Sequence, residues 1–176
     1  ARRYIKLGRD LKLDEKELDE IGIAITRVNA RLLTSIIGVS NKDIPPTTDQ
    51  ARNMNEPIVI MGGTLPGHST DTVAAELAAK THAIRFIIAT NVDGIYDKDP
   101  NKYSDAKKLN EVSIDDLIKE YGTDWKSAGA NVVIDGPALE IIKESKIKTF
   151  VVNGKKLDQL EYAIEDKTFN GTKIKI

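Results

Sequence analysis

The stretch Ile58–Ala75 reads I-V-I-M-G-G-T-L-P-G-H-S-T-D-T-V-A-A, and the rest of the fold can be worked out from it. It opens with an apolar run, Ile58–Met61, which is typical of a strand buried on both faces. Gly62 and Gly63 then allow the backbone to turn sharply or to approach a ligand closely. Apolar residues recur at helical spacing after Asp71. The stretch therefore predicts a strand, a polar loop and the N-terminal end of a helix.

The loop in this stretch has the chemistry of an anion site. Its hydroxyl groups, His68 and Asp71 are more than a plain turn requires, and Ser69 or Thr70 can cap the helix. Backbone N–H groups and the positive end of a helix dipole favour an anion there, typically a phosphate. The alternative is an ordinary capped connection, because a short glycine motif is by itself only a hypothesis. The length and composition of the loop favour the ligand site.

The composition is that of a globular protein without a charged partner. Of 176 residues, 40% are hydrophobic and 30% charged, which is typical of one soluble domain spanning residues 1–176. The net charge is −1, so nothing indicates binding to nucleic acid or to a membrane surface. The absence of cysteine excludes disulfides, thiolate catalysis and cysteine-bound metals. No apolar run approaches the ~18 residues of a transmembrane helix. We therefore expect a cytoplasmic protein.

A long helix is predicted from about Asp14 to Leu33. Its apolar side is expected to comprise Leu18, Ile21, Ile25, Val28, Ala30 and Leu32. Gly22 in a helix interior costs about 1 kcal/mol relative to alanine, which indicates close packing or a ligand. For Asp19 and Arg27 on the same helix, the pattern alone favours a solvated face.

A second buried strand, Ile84–Ala89, also ends in a polar loop, Thr90–Pro100. If the two strands lie side by side in a parallel sheet, their polar ends line one crevice. Tyr96 can then flank a ring, while Asn91 and Asp99 can bond a base or a ribose. The alternative is a capped turn, since Asp-Gly and Asp-Pro are common turn dipeptides.

The C-terminal half continues the alternation of helices and strands. A short helix is predicted around Ile114–Tyr121, a buried strand at Thr149–Asn153, a helix at Leu157–Ile164 and a closing strand at Thr172–Ile176. Together with the first half, this order predicts a three-layer α/β/α sandwich with a mostly parallel sheet.

Several isolated residues have a functional and a structural interpretation. Lys107, Lys108 and Lys126 could neutralise phosphates, although surface lysines are usually solvated. Trp125 is expected to pack against the core. The histidines are too sparse for a metal cluster, so the side-chain pattern predicts no metal site.

Several of these motifs together resemble the amino-acid-kinase superfamily, and within it the archaeal type of uridylate (UMP) kinase. They are Gly62–Asp71, Ala89–Tyr96 with Asp99-Pro100, Asp19–Ala30, Ala128–Asp135 and Lys146–Gly154. The likeness extends over the whole chain, and its most specific part is the Gly62–Asp71 loop combined with the helix that carries Asp19.

The resemblance implies transfer of the γ-phosphoryl group of ATP to UMP, with Mg²⁺ present. It implies that UMP is held by Asp19, Thr64, Leu65, Pro66, Gly67, His68, Ser69 and Thr70. It implies that ATP is held by Arg2, Thr90, Asn91, Tyr96 and Asp99. Asp71 matches an acidic residue that orients a catalytic lysine or the metal. A homohexamer and feedback inhibition by UTP are further expectations from the same resemblance.

The sequence leaves alternatives to this activity. Another kinase of the superfamily would act on a carboxylate, a carbamate or a phosphorylated isoprenoid, and a non-catalytic module would bind nucleotide without turnover. The superfamily also has an N-terminal segment, with a Lys- and Gly-containing phosphate loop, that has no counterpart in these residues. We therefore expect an N-terminally incomplete domain, in which Mg²⁺, Arg2 and that segment together neutralise the transferred phosphoryl group. The kinase hypothesis requires that the Thr64–Thr70 and Thr90–Asp99 loops open onto one cleft.

Overall fold

The computed structural model describes residues 1–124 and 133–176. Its helices are α1 (Arg2–Asp10), α2 (Glu15–Ile36), α3 (Thr48–Arg52), α4 (Thr70–Lys80), α5 (Ile114–Tyr121), α6 (Gly136–Ser145) and α7 (Leu157–Ile164). Its strands are β1 (Phe86–Thr90), β2 (Ile95–Tyr96), β3 (Lys108–Leu109), β4 (Glu111–Ser113), β5 (Thr149–Asn153) and β6 (Gly171–Lys175). Trp125, Lys126 and the Ala128–Ala130 part of the family motif lie outside the described residues.

Most predicted elements are present with small shifts at their ends, and local capping explains where the helices begin. The Asp14 carboxylate accepts the N–H of Glu17 at 2.8 Å, while the Glu17 carboxylate accepts the N–H of Asp14 at 3.0 Å. This reciprocal cap starts α2 at Glu15. α5 begins after Ser113, whose hydroxyl accepts the N–H of Asp115 at 3.2 Å.

The central sheet has four strands in the order β1–β5–β6–β4. β1 runs parallel to β5 and β4 runs parallel to β6, whereas β5 and β6 are antiparallel. β2 and β3 form a separate antiparallel pair. The predicted α/β class with a mostly parallel sheet is confirmed.

Helices cover both faces of this sheet. Phe86, Ile88 and Val151 belong to a core shared with α4, α5 and α6. Phe150 and Val152 belong to a second core, on the side of α7. Because successive strand residues point to opposite faces, β1 and β5 contribute to both cores, β1 to the second core through Ile87. The result is the predicted arrangement of helix, sheet and helix layers.

The strand predicted at Ile58–Met61 is wrong. The segment is extended, but its strand pairing among the described residues is a single bridge between Ile58 and Ser40. The buried side chain of Asn41 takes the place of a ladder: its amide donates to the carbonyl of Ile60 at 2.8 Å and accepts the N–H of Ile60 at 2.6 Å. An apolar run becomes a strand only when a neighbour pairs with its backbone, and here one side chain satisfies the backbone of Ile60.

The predicted apolar side of α2 is only partly buried. Leu18 and Ala30 are in the interior, whereas Val28 is 64% and Leu32 is 62% exposed. α2 packs against α1 through Leu18, which contacts Ile5. A helix that packs on one side cannot bury apolar residues all around its surface.

None of the helices in the described parts of the chain is long and apolar enough to cross a membrane.

Candidate functional site

A cavity of about 580 Å³ lies at the carboxyl end of β1. Arg2, Thr90, Asn91, Tyr96 and Asp99 all line it. These are the residues for which the sequence predicted a role in binding ATP. Thr70 and Asp71, from the first turn of α4, line the same cavity. A parallel strand and the N-terminal end of a helix therefore open onto one space, as expected for a ligand site in an α/β sheet.

The Thr90–Asp99 loop is fixed by contacts to strands that are distant in sequence. The carbonyl of Thr90 accepts the N–H of Gly154 at 2.8 Å, which ties the end of β1 to the end of β5. Asp93 accepts hydrogen bonds from Lys156 and Asn153, both at 2.9 Å. These bonds hold the pKa of Asp93 below its ordinary value, with the Lys156 bond as the main cause. The loop is thus anchored to β5.

Asp99 also forms the capped turn that the sequence offered as its alternative role. Its Oδ1 accepts the backbone N–H of Asn101 at 2.9 Å and the side-chain amide of Asn101 at 3.1 Å. Since Asp99 lines the cavity as well, the turn and a ligand contact are compatible.

Asp71 is half-buried at the N-terminal end of α4. Burial raises its pKa from 3.8 to about 6, and the nearby charge of Asp135 adds to this effect, while Arg2 opposes it. Asp135 itself is 9% exposed. Its Oδ2 accepts a hydrogen bond from the hydroxyl of Thr72 at 2.9 Å, whereas Oδ1 has no hydrogen-bond partner among residues 1–124 and 133–176. Two carboxylates thus lie near enough for their charges to interact, and one of them has an oxygen atom that no described residue binds.

The Leu65–His68 segment of the first loop is a turn. Gly67 has a φ of +82°, a conformation that glycine adopts at little cost, and the N–H of His68 donates to the carbonyl of Leu65 at 3.2 Å. The turn leads into α4, whose N-terminal cap is Ser69: its hydroxyl accepts the N–H of Thr72 at 2.9 Å. Of the two capping residues predicted, Ser69 is the one used.

Side chains of α2 form hydrogen bonds with the backbone of this loop. The Asp19 carboxylate accepts the N–H of Gly67 at 2.7 Å, and the Thr26 hydroxyl accepts the N–H of Gly63 at 2.8 Å. The guanidinium of Arg27 donates to the carbonyls of Ile44 and Pro45 at 2.7 and 2.9 Å. The solvated face expected for Asp19 and Arg27 is therefore wrong, because both side chains bind backbone atoms of distant loops.

Gly62 is required by the approach of this loop to α2. A Cβ added at Gly62 would lie 2.8 Å from the backbone nitrogen of Arg27 and 2.9 Å from its Cα. These distances are far below ordinary van der Waals contact, so the backbone of residue 62 lies directly on the helix.

The cavity and the loop meet at Thr70 and Asp71. The other predicted UMP residues do not line the cavity: Asp19, Thr64, Leu65, Pro66, Gly67, His68 and Ser69. Thr70 also lines a second, mainly apolar cavity of about 360 Å³, bordered by Met61, Gly62 and α4. The two loops are therefore joined through the first turn of α4.

Other side chains of the cavity have no counterpart among the predicted site residues. Lys98, Glu120 and Tyr121 line it, whereas Lys107 and Lys108 do not. Burial raises the pKa of Tyr121, and the neighbouring Glu120 adds to the effect. The sequence places Tyr121 at the end of a predicted helix but does not indicate that it lines a ligand site. In the described ranges, no group of three or more histidine, cysteine or carboxylate side chains could hold a metal ion.

Comparison with known proteins gives one consistent result. The sequence pattern of the Amino acid kinase family matches residues 1–153. A uridylate kinase of Methanocaldococcus jannaschii is 45% identical over 158 residues, which cover 88% of this chain and 70% of that protein. A uridylate kinase of Methanobrevibacter smithii is 40% identical over 177 residues, covering 99% of this chain and 78% of that protein.

Solved structures give the same result. The crystal structure of the uridylate kinase from Archaeoglobus fulgidus superposes with a TM-score of 0.85 and 41% sequence identity. The match covers 99% of this chain and 79% of the other.

Proposed function

The chain belongs to the amino acid kinase family, and on that premise we propose that it transfers the γ-phosphoryl group of ATP to UMP, giving UDP and ADP. The relatives named uridylate kinase support the choice of substrate. The observation that carries the proposal is the single cavity shared by the carboxyl end of β1 and the first turn of α4.

Each loop holds one nucleotide in this proposal. ATP occupies the cavity against the Thr90–Asp99 loop, with Tyr96 beside the base and Arg2 near the phosphates. UMP lies against the Thr64–Thr70 loop, whose turn Asp19 fixes through the N–H of Gly67. Thr70 and Asp71 lie where the two loops meet, so in this proposal the phosphates of ATP and the single phosphate of UMP come together at the N-terminal end of α4.

Phosphoryl transfer asks for position and charge compensation more than for covalent chemistry. The acceptor oxygen of UMP is already anionic, so a general base is not required. What the protein must do is hold two nucleotides in line, and the anchors described for the two loops provide that rigidity. The positive end of the α4 dipole and Arg2 favour the negative charge of the phosphates.

Mg²⁺ fits the residues present at this place. Asp71, which lines the cavity, and the nearby Asp135 offer the carboxylate oxygens that Mg²⁺ prefers, and the buried Oδ1 of Asp135 has no hydrogen-bond partner in the part of the chain that the structure describes. One or two carboxylates together with phosphate oxygens are a usual magnesium environment. When bound, the ion supplies positive charge over the transferred phosphoryl group.

A coupled assay for ADP release tests the activity on the whole protein. ATP is supplied with UMP or with one of four other acceptors: CMP, glutamate, carbamate and isopentenyl phosphate. We expect UMP to have the highest kcat/KM. A higher value for another acceptor would identify a different kinase of the family. Binding of both nucleotides without ADP release would indicate a non-catalytic module.

We also infer that the protein associates with copies of itself. Val28, Leu32 and Ile36 follow one another at intervals of four residues on α2 and are 62% to 71% exposed. Such an apolar stripe is typical of a subunit interface. A hexameric assembly and feedback inhibition by UTP rest on the family resemblance alone, and a cytoplasmic location rests on the composition of the sequence.

A further inference from the structure

His68, at the end of the loop turn, lies beside Glu76 of α4. His68 Nδ1 lies 3.3 Å from Glu76 Oε1, within ion-pair distance but outside hydrogen-bond geometry. The His68 side chain is 38% exposed, although Nδ1 itself is buried. The exposed surface therefore belongs to the rest of the side chain. With Nδ1 turned toward Glu76, Nε2 is the one polar ring atom left for a ligand.

Glu76 is itself fixed by a polar chain that leads away from the cleft. The hydroxyl of the buried Thr48 donates to Glu76 Oε2 at 3.4 Å, and Lys80 Nζ donates to the same hydroxyl at 2.8 Å. Lys80 also forms an ion pair with Asp49 at 2.9 Å. Glu76 thus connects α3 to the loop, and its carboxylate has a contact for each oxygen.

Side chains of two helices contact the turn. The Asp19 carboxylate of α2 accepts the N–H of Gly67, and the Glu76 carboxylate of α4 lies within ion-pair distance of the His68 ring. Apart from the hydrogen bond between His68 and Leu65, these are the contacts that fix the turn among the described residues. Groups that bind a substrate act well only when a supporting layer keeps them in place.

We propose that Glu76 is a positioning residue for the acceptor nucleotide: it fixes the His68 ring, and with it the Leu65–His68 turn, so that Nε2 is presented to UMP. The role of the loop in holding UMP rests on the proposed function. Glu76 does not touch the substrate in this proposal and acts through His68.

The test compares Glu76→Gln with a matched control, Glu144→Gln, which removes an exposed carboxylate of α6. Steady-state kinetics on the whole protein give KM for each nucleotide and kcat. We expect KM for UMP to rise about tenfold in Glu76→Gln, while KM for ATP and kcat change less than about twofold. The control should leave all constants unchanged. Equal changes in both KM values, or no change, would overturn the proposal.

A second variant avoids disturbing the carboxylate. Thr48→Val keeps the shape of the buried side chain and removes the contact to Glu76 Oε2. We expect a smaller rise in KM, about threefold and again specific to UMP. If Thr48→Val leaves KM for UMP unchanged, or raises both KM values alike, then the contacts from Lys80 and Thr48 do not position Glu76 for UMP binding. This outcome is informative even if Glu76→Gln fails to fold.

A double-mutant cycle tests the route through His68. If Glu76 acts only by fixing His68, then His68→Asn combined with Glu76→Gln should raise KM for UMP no more than His68→Asn alone. Multiplicative effects would show that Glu76 acts independently and would overturn the assignment. A wild-type protein that phosphorylates another acceptor instead of UMP would refute the proposed function, which is a distinct outcome.

Discussion

The Asp71 carboxyl group shows how a single residue links stability to the site. Its pKa in the folded chain is about 6, above the ordinary value of 3.8, chiefly because it is buried. A raised carboxyl pKa means that the folded state binds the proton more tightly than the unfolded state. Stability therefore falls as pH rises from about 4 to about 6, and the loss persists above that range.

Replacing Asp71 with asparagine should remove this loss. In the absence of Mg²⁺ and nucleotides, we expect Asp71→Asn to raise the free energy of unfolding at pH 8 by about 2 kcal/mol, with a smaller gain at pH 4. Kinase activity should fall strongly in the same variant. Urea unfolding at the two pH values measures the difference, and an equal effect at both would contradict the shifted pKa.

Asp19→Ala should weaken the binding of UMP more than the binding of ATP. Asp19 accepts a backbone N–H in the turn that is proposed to hold UMP, and it lies outside the lining of the larger cavity. Loss of a hydrogen bond to a charged group costs about 1.5–3 kcal/mol. Calorimetric titration with UMP and with a non-hydrolysable ATP analogue compares the two. Equal small losses would argue against the assignment.

For single residues, the sequence predicts which members of a motif belong to the site, but it does not predict their hydrogen-bond partners far away in the chain. Thr90, Asn91, Tyr96 and Asp99 were predicted together, because a loop at the end of a buried strand places them at one edge. The hydrogen bond that joins Asp135 to the first turn of α4 was missed, since its partner Thr72 lies 63 residues away in sequence.

At the scale of secondary-structure elements, the close contact at Gly62 sets the distance between the loop backbone and α2. Gly62→Ala should push residue 62 away from Arg27 and lower the free energy of unfolding by about 1–3 kcal/mol, as overpacking does. Gly38→Ala is the matched control, because no atom lies within 4 Å of a Cβ at position 38. Denaturant midpoints measure both variants. Equal shifts would mean that the close approach does not limit the backbone.

The segment Ile58–Met61 shows where prediction of elements fails. Its apolar run indicates an extended backbone, which the structure has, and burial on both faces, which it has not, because Ile58 is exposed and residues 59–61 are half-buried. Whether that backbone becomes a strand depends on a neighbour, and the neighbour here is the side chain of Asn41. Local patterns contain no information about such a partner. Capping signals, in contrast, are local, which is why a cap at Ser69 or Thr70 is predictable for α4, and Ser69 is the cap observed.

For the whole molecule, the exposed stripe of α2 predicts self-association. Leu32→Glu places a charge in the middle of the stripe and should shift the protein toward smaller species in sedimentation velocity. Leu157→Glu, at a 73% exposed leucine on α7, is the control and should leave the distribution unchanged. A wild-type protein that sediments as a monomer, or equal shifts in both variants, would contradict the interface.

The class of the fold was the most predictable property of the molecule. Alternating strands and helices admit few arrangements, and a mostly parallel sheet with helices on both faces is the usual one. The reversed direction of β6 relative to β5 was not predicted, because the sequence of a strand does not encode its orientation.

The position of α4 between the two loops has a consequence for exchanging specificity among relatives. Residues 64–99 form one uninterrupted cassette: a turn, a helix, a strand and a second loop. Transplanting this cassette into another kinase of the same architecture would carry most of the proposed recognition groups in a single step. The recipient would need an acid at position 19, because this side chain accepts the N–H of Gly67 in the incoming turn.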